Sequence, residues 1–226
     1  MSRVPVGAFD LHIVSEHSGA LLHGLLLTVE IAALGFAVTA LVGLPLALGQ
    51  MSASPLLRMP ASACVGVARG VPLLIFIYWV YYAAAERNLF SLQAFVAGVL
   101  SLGLTGAGYM AEIYRTALIS VPGGQREAAA AIGLSRRAAF DRVVLPQALR
   151  TAVPPAMNLF VMLLKGAALL SVIGVADMFY EAKLVAVDEF RPFELYSAAA
   201  VLIVIVTLIA ASAAGLAERW LSRGYR

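Results

Sequence analysis

Residues 197–216 read SAAAVLIVIVTLIAASAAGL, twenty positions without a charge. A helix apolar on every side belongs in a large core or in lipid, and at about 1.5 Å per residue this one spans the roughly 30 Å hydrocarbon layer of a bilayer. The rest of the chain decides for lipid. It has 226 residues, of which 62% are hydrophobic and 13% charged, where soluble domains carry roughly 25% charged residues. Working back from this segment, residues 88–111 are also free of charge. Residues 21–48 are apolar except for Glu30, and residues 151–176 except for Lys165. Residues 70–85 supply a further uncharged run that must borrow a turn before Arg69. The pattern predicts an all-α polytopic membrane protein with five transmembrane helices near 21–48, 62–85, 89–114, 152–176 and 197–217, forming one transmembrane domain over 1–226.

Basic residues collect on the cytoplasmic side of membrane proteins. Arg58, Arg69, Arg115, Arg126, Arg136, Arg137, Arg142, Arg150, Arg219, Arg223 and Arg226 fall on one side of this five-span arrangement, whereas Arg3, Arg87, Lys183 and Arg191 fall on the other. The N-terminus is therefore expected outside and the C-terminus inside. The outer segment 177–196 is acidic, as that orientation requires. The first apolar run is about twice a signal-peptide core in length, so it reads as a retained span. A net charge of +3 from 16 basic and 13 acidic residues is too balanced for a nucleic-acid binder. The lone Cys64 closes no disulfide within the chain, and no Cys/His cluster has zinc spacing. No repeat of fixed period is visible.

The connection between the third and fourth spans is neither long-apolar nor disordered in composition. Pro122-Gly123-Gly124 breaks the preceding helix, and residues 125–132 are good helix formers with Glu127 near the start, where a carboxylate suits the dipole. Gly133 is placed to end that helix in a left-handed cap, and Ser135 to cap a second short helix over 136–145, ahead of Pro146. A helix-turn-helix on the cytoplasmic face is predicted over the loop 121–150.

Glu127-Ala128-Ala129, Gly133 six residues after Glu127, then Phe140, Val143, Leu145 and Pro146 resemble the Glu-Ala-Ala loop of ABC importer permeases. The stretch Ala-Glu-Ile-Tyr-Arg (111–115) through Leu-Pro-Gln-Ala-Leu-Arg (145–150) is similar to the polar amino-acid uptake branch of that superfamily. Arg69-Gly70-Val71-Pro72-Leu73-Leu74, Ser171-Val172-Ile173-Gly174 and Arg191-Pro192-Phe193-Glu194-Leu195 extend the likeness, which runs from about Thr28 to the end. The resemblance implies a bacterial inner-membrane permease subunit, not itself an enzyme, that forms the pathway for a polar amino acid or derivative delivered by a periplasmic solute-binding protein. It implies a second permease chain, the same or homologous, and two copies of an ABC ATPase subunit that holds ATP and Mg, the permease binding no cofactor of its own. It assigns the loop, a coupling helix, to contact with that ATPase through Arg126, Glu127, Ala128, Ala129, Gly133 and Leu134. Small alanines let another protein approach the helix, while Arg126 and Glu127 offer charge-assisted bonds at the rim; good helix propensity is the plainer reading of the same alanines.

Two motifs are expected to be decoys. Pro122-Gly123-Gly124-Gln125-Arg126 looks like the nucleotide-contacting signature of ABC ATPases, yet no phosphate-cradling Gly-x-x-x-x-Gly-Lys-Ser/Thr is present. Ser15 with His12, His17 and His23 lacks a nucleophile elbow, so an intramembrane enzyme has no machinery here. Three charged residues lie in or beside the spans: Glu30 about 15 Å from the outer end of the first, Lys165 at similar depth in the fourth, expected to start at Pro154 or Pro155, and Glu112 one turn from Arg115. Such charges pair or face water, so an internal pair of Glu30 or Glu112 with Lys165, and a substrate pathway lined by Glu30, Lys165 and Glu112, both stand open, while Glu112 with Arg115 at i, i+3 reads as a structural pair before a site. An ion-gradient-driven carrier using Glu30 or Glu112 is the alternative function. After the membrane lysine the family commonly continues Asp-Thr-Ser-Leu; here the chain reads Lys165-Gly166-Ala167-Ala168-Leu169, which leaves the identity of the solute open.

Overall fold

The structure, a computed structural model, describes residues 9–86 and 93–222, and every regular element among them is helical. A short α1 (Leu11–Glu16) is capped by Asp10, whose carboxylate accepts from the His12 N–H. It is followed by α2 (Ser18–Gln50), α3 (Pro55–Gly70), α4 (Leu73–Glu86), α5 (Ala94–Ile119), α6 (Gly123–Ala131) and α7 (Arg136–Ala139). The chain then forms α8 (Leu145–Gly166), α9 (Met178–Asp188) and α10 (Pro192–Ser222). Four stretches are long and apolar enough to cross a membrane, Ser18–Gln50, Ala94–Ile119, Arg136–Ile173 and Pro192–Leu216, and a fifth is a bent pair.

That bent pair corrects the second expected span. Instead of one helix over 62–85, α3 and the first part of α4 meet at 108°. The cause is local: the ring of Pro72 disfavours helical geometry at the residue before it, and Val71 is accordingly extended, with φ −84° and ψ 128°. The fourth span differs in the opposite sense. It does not begin at Pro154 or Pro155, which lie inside α8. The short helix expected over 136–145 does not stop before Pro146 either. From α7 the backbone passes through a π turn (Phe140–Val144), in which the Leu145 N–H reaches the Phe140 carbonyl, and on into α8. A 3-10 segment (Ala167–Ile173) then ends at Gly174, left-handed at φ +82°. A helix absorbs internal prolines where local adjustments and packing re-satisfy the freed carbonyls.

The core lies between α2 and α5. Thr39 Oγ1 on α2 donates to the Gly103 carbonyl on α5 at 3.0 Å, and Ile31, Ile77, Leu102, Met110, Leu163 and Leu170 bury around that seam. A second cluster, Leu21, Leu25, Met178, Ala182 and Leu195, joins α2 to α9 and α10. On α10 the exposed stripe Val201, Val204, Ile205, Leu208 and Ile209 is wholly apolar, as a lipid-facing surface must be.

The acidic segment 177–196 is more ordered than its composition suggests. Asp177 and Glu194 are buried. The Arg191 guanidinium bonds Glu194 at 3.0 Å, and Asp177 caps α9 by accepting from the Tyr180 N–H at 2.9 Å. The second Asp177 oxygen, Oδ2, has no hydrogen-bond partner. Burial, reinforced by Glu181 and opposed by the capping N–H groups, pushes the Asp177 carboxyl up from 3.8 to about 7. A pKa raised by folding means that the acid form is the stable one in place. Its stabilisation is complete below the ordinary value and is lost as pH climbs through about 7. Asp177→Asn keeps a capping oxygen and removes the titration. The unmodified protein should lose roughly 2–3 kcal/mol between about pH 5 and pH 8 from this group, while the variant's thermal midpoint in detergent should lack that component; equal pH slopes for the two would refute the assignment.

Candidate functional site

The turn between α6 and α7 is built by a local rule. After α6, Ile132 keeps near-helical geometry and Gly133 turns left-handed at φ +80°. The Gly133 N–H then bonds the Ala130 carbonyl at 3.0 Å, and the Leu134 N–H bonds Ala129 at 3.1 Å. This is the paired closure of a glycine-ended helix. Ser135 caps α7 by accepting from the Ala138 N–H at 3.3 Å. Between α6 and α7 lies a groove of about 560 Å³ lined by Arg126, Glu127, Ala130, Leu134, Ala139 and Phe140, among others. Ala128, Ala130 and Ala131 are exposed, and Ile132 is 78% exposed. Ala129, expected on the outer surface of this helix, is instead buried, because with one side of α6 packed toward α7 it is the alanine that turns inward.

The three charged residues separate into two kinds. Glu112 is held: Arg115 donates to its Oε2 at 2.7 and 3.0 Å, Gln50 to its Oε1 at 3.2 Å, and Arg69 approaches within 3.8 Å. Arg69 also lies over the Tyr109 ring, 5.4 Å from its centroid. This cluster ties the C-terminal ends of α2, α3 and α5 together, and Lys165 takes no part in it. Glu30 and Lys165 are exposed and, among the described residues, make no ion pair or hydrogen bond. The internal pairing of Lys165 with Glu30 or Glu112 is therefore not formed.

What sequence reading passed over is the company of Lys165. From Thr151 onward the exposed positions of α8 and just beyond it are Thr151, Pro155, Asn158, Met162, Lys165 and Leu169, alternating by four and three as one stripe of a helix does. Three of them are polar, seven residues apart. Among the described residues the Asn158 side chain has no hydrogen-bond partner. The signal was present as the spacing Thr151, Asn158, Lys165, but which side of α8 meets the core is a tertiary fact. The two positions after the lysine turn inward: Gly166 lies against Leu73, and Ala167 is fully buried.

Comparison with known proteins is consistent along nearly the whole chain. Residues 39–223 match the family described as "Binding-protein-dependent transport system inner membrane component". The chain is 36% identical over 202 residues to the probable amino-acid permease protein YxeN of Bacillus subtilis, covering 88% of this chain and 89% of that one. It is 32% identical over 202 residues to the glutamine transport system permease protein GlnP of Escherichia coli, covering 89% and 92%. Among solved structures, an amino acid ABC transporter crystallised with histidines superposes with a TM-score of 0.87 at 32% identity, over 94% of this chain and 99% of that one. A chain of the MetNI methionine ABC transporter, in an inward-facing conformation, shares the fold, with a TM-score of 0.77 at 21% identity over 92% and 98%. This chain belongs to the family of inner-membrane components of binding-protein-dependent transport systems, and is a transport subunit, not an enzyme.

Proposed function

We propose that the chain is the permease of a bacterial inner-membrane ABC importer for a polar amino acid or a derivative of one. The observation that carries this reading is the cytoplasmic groove beside α6. It combines exposed alanines, Ile132 and the charged rim of Arg126 and Glu127, and its other wall, α7, runs without a break through the π turn into a membrane-spanning helix. A partner that closes on α6 thereby moves α8. Relatives named for amino-acid and glutamine transport support the solute class.

In this reading two ATPase copies bind ATP and Mg and seat α6 of two permease chains through Arg126, Glu127, Ala128, Gly133 and Leu134, with Ala129 bracing the helix from within. A periplasmic binding protein delivers solute to the outer face. The pathway runs along the Thr151, Asn158 and Lys165 stripe, because a polar face in the membrane looks onto water or protein and not onto acyl chains. Glu30 belongs to the same pathway, and Glu112 is structural. Hydrolysis shifts the population between outward and inward states.

Reconstitution with the ATPase and binding protein encoded beside it is the test. Uptake of a polar amino acid should require ATP and all components. Accumulation by the isolated chain in liposomes, driven by an ion gradient, would overturn the proposal in favour of a secondary carrier.

A further inference from the structure

The segment 121–150 carries five arginines and two carboxylates, and the fold sorts them between two clefts. The groove beside α6 and α7 is mixed in sign, with Arg126, Glu127 and Arg136 in its lining. Asp141 lies 3.7 Å from Arg137. A second cleft, of about 280 Å³, opens between the first turn of α6 and the stretch where the π turn becomes α8. Gln125, Arg142, Val143, Pro146, Gln147 and Arg150 line it. Among the described residues no carboxylate does.

That lining is rich in donors. Positions 142, 146 and 150 repeat every four residues and share one face of the helix, so the two arginines stand about 12 Å apart along it, within reach of a common group between them. Arg142 and Gln125 have no partner among the described residues, and Arg150 is steadied by an interaction of its own. Gln147 gives one amide N–H to the Val143 carbonyl at 2.9 Å and keeps a second. Two guanidinium groups in one cleft repel each other, and an anion seated between them turns that repulsion into attraction. Arginine forks match the paired oxygens of a phosphate or a carboxylate.

Position selects phosphate. Arg150 is the last charge before the uncharged run 151–164, so the cleft stands where a span leaves the hydrocarbon and meets the headgroups, and basic pockets at that level take anionic heads. Val143 and Pro146 add an apolar wall beside the arginines, as a phosphate attached to an apolar body requires.

We infer that this cleft is a binding site for a phosphate group of net negative charge, held by Arg142 and Arg150 with Gln125 and Gln147 as neutral donors. The phosphate comes from the headgroup of an anionic phospholipid or from free phosphate, since both present the same oxygens. Gln125 belongs to α6 and Arg150 to α8, so the bound anion ties the short helix to the span. The site does not depend on what docks on α6.

For the test, the full chain in a neutral detergent is offered equal amounts of phosphatidylglycerol and phosphatidylcholine with matched acyl chains, and retained lipid is counted by native mass spectrometry. Phosphatidylglycerol should be retained in preference. Arg142→Gln, at an exposed position, should lower that preference about fivefold, and Arg142→Gln with Arg150→Gln about twentyfold, as expected for basic side chains near a headgroup. If Arg150→Gln lowers the yield of folded protein, Gln125→Leu replaces it in the pair. Arg142→Lys should keep much of the preference. Arg58→Gln, which removes an exposed charge on α3, should keep all of it. In a second arm, inorganic phosphate is titrated calorimetrically against the lipid-free chain and the double variant at equal ionic strength. Binding by the unmodified chain alone makes free phosphate a ligand of the cleft; lipid preference without phosphate binding makes the headgroup the ligand. The proposal is overturned if neither probe separates the unmodified chain from the double variant, or if Arg58→Gln loses as much as Arg142→Gln, which is what general attraction to a basic surface would give.

Discussion

Gly133→Val is expected to abolish ATP-driven uptake while leaving the membrane spans folded. Gly133 has φ +80°, and nothing lies within 4 Å of the position a Cβ would take, so the defect is one of backbone conformation and not of space. An L-residue in the left-handed region costs about 1–2 kcal/mol, and a β-branched one falls toward the upper end of the 1–3 kcal/mol range for strained backbone. The closure of α6 by the Gly133 and Leu134 N–H groups is then disfavoured by roughly 30- to 150-fold. With that closure goes the angle at which Arg126, Glu127 and the exposed alanines are presented. A graded series separates this cause from simple misfolding: Gly133→Asn should retain most uptake, Gly133→Ala an intermediate amount and Gly133→Val little, all with unchanged helical circular dichroism. Normal ATP-driven uptake by the valine variant would remove the turn from any coupling role.

Gly106→Ala should prevent α2 and α5 from closing. A methyl on Gly106 runs into Thr39 Oγ1 and comes within 3.2 Å of Thr39 Cβ and 3.1 Å of its Cγ2. The hydroxyl is itself engaged, donating to the Gly103 carbonyl at 3.0 Å in a fully buried position, so rotating Thr39 away sacrifices a buried hydrogen bond. Overpacking and the lost bond together cost about 2–4 kcal/mol. The readout is the yield of monodisperse protein in detergent and its thermal midpoint. Thr39→Ala combined with Gly106→Ala removes both the hydroxyl and the γ-methyl and should recover part of the loss, a non-additivity expected only of residues in contact. An unperturbed midpoint for the single variant would mean that the helices do not approach as closely as Thr39 and Gly103 indicate.

Family membership at the level of the whole chain agrees with the reading of residues 111–150, where the decisive features are short-range. Gly133 needs only its own φ to end a helix, and Ser135 needs only the N–H three residues on. Spans such as 197–216 are equally local, since hydropathy is summed along the chain. The second span shows where that summation misleads. Averaging over 62–85 conceals Val71-Pro72, although the proline is a local signal that turns the backbone by 108°. The opposite error arose at Pro154 and Pro155, which read as a helix start and prove to be interior, because the neighbours that hold α8 together around them are distant in sequence.

Charge placement was the least legible property. Asp177 and Glu194 belong by composition to a solvated acidic segment, yet both are buried. For Asp177 the reason involves α2, some 150 residues earlier, where Thr28 receives the Met178 N–H. Glu112 makes the i, i+3 pair with Arg115 that the spacing suggests, and what the sequence did not show is that Gln50 and Arg69 from two further helices join it. The solitary state of Glu30 and Lys165 likewise follows from which sides of α2 and α8 face the core.

Residue order alone dictated that the protein lives in a membrane and that a glycine-ended helix stands between the third and fourth spans. Each of these follows from solvation or backbone energy spent within a few neighbouring residues. Packing alone decided which charges are satisfied, which stripe of α8 stays open and polar, and which acid titrates near neutrality. Those properties depend on what lies across a helix interface, and that is set by contacts between segments tens to more than a hundred residues apart.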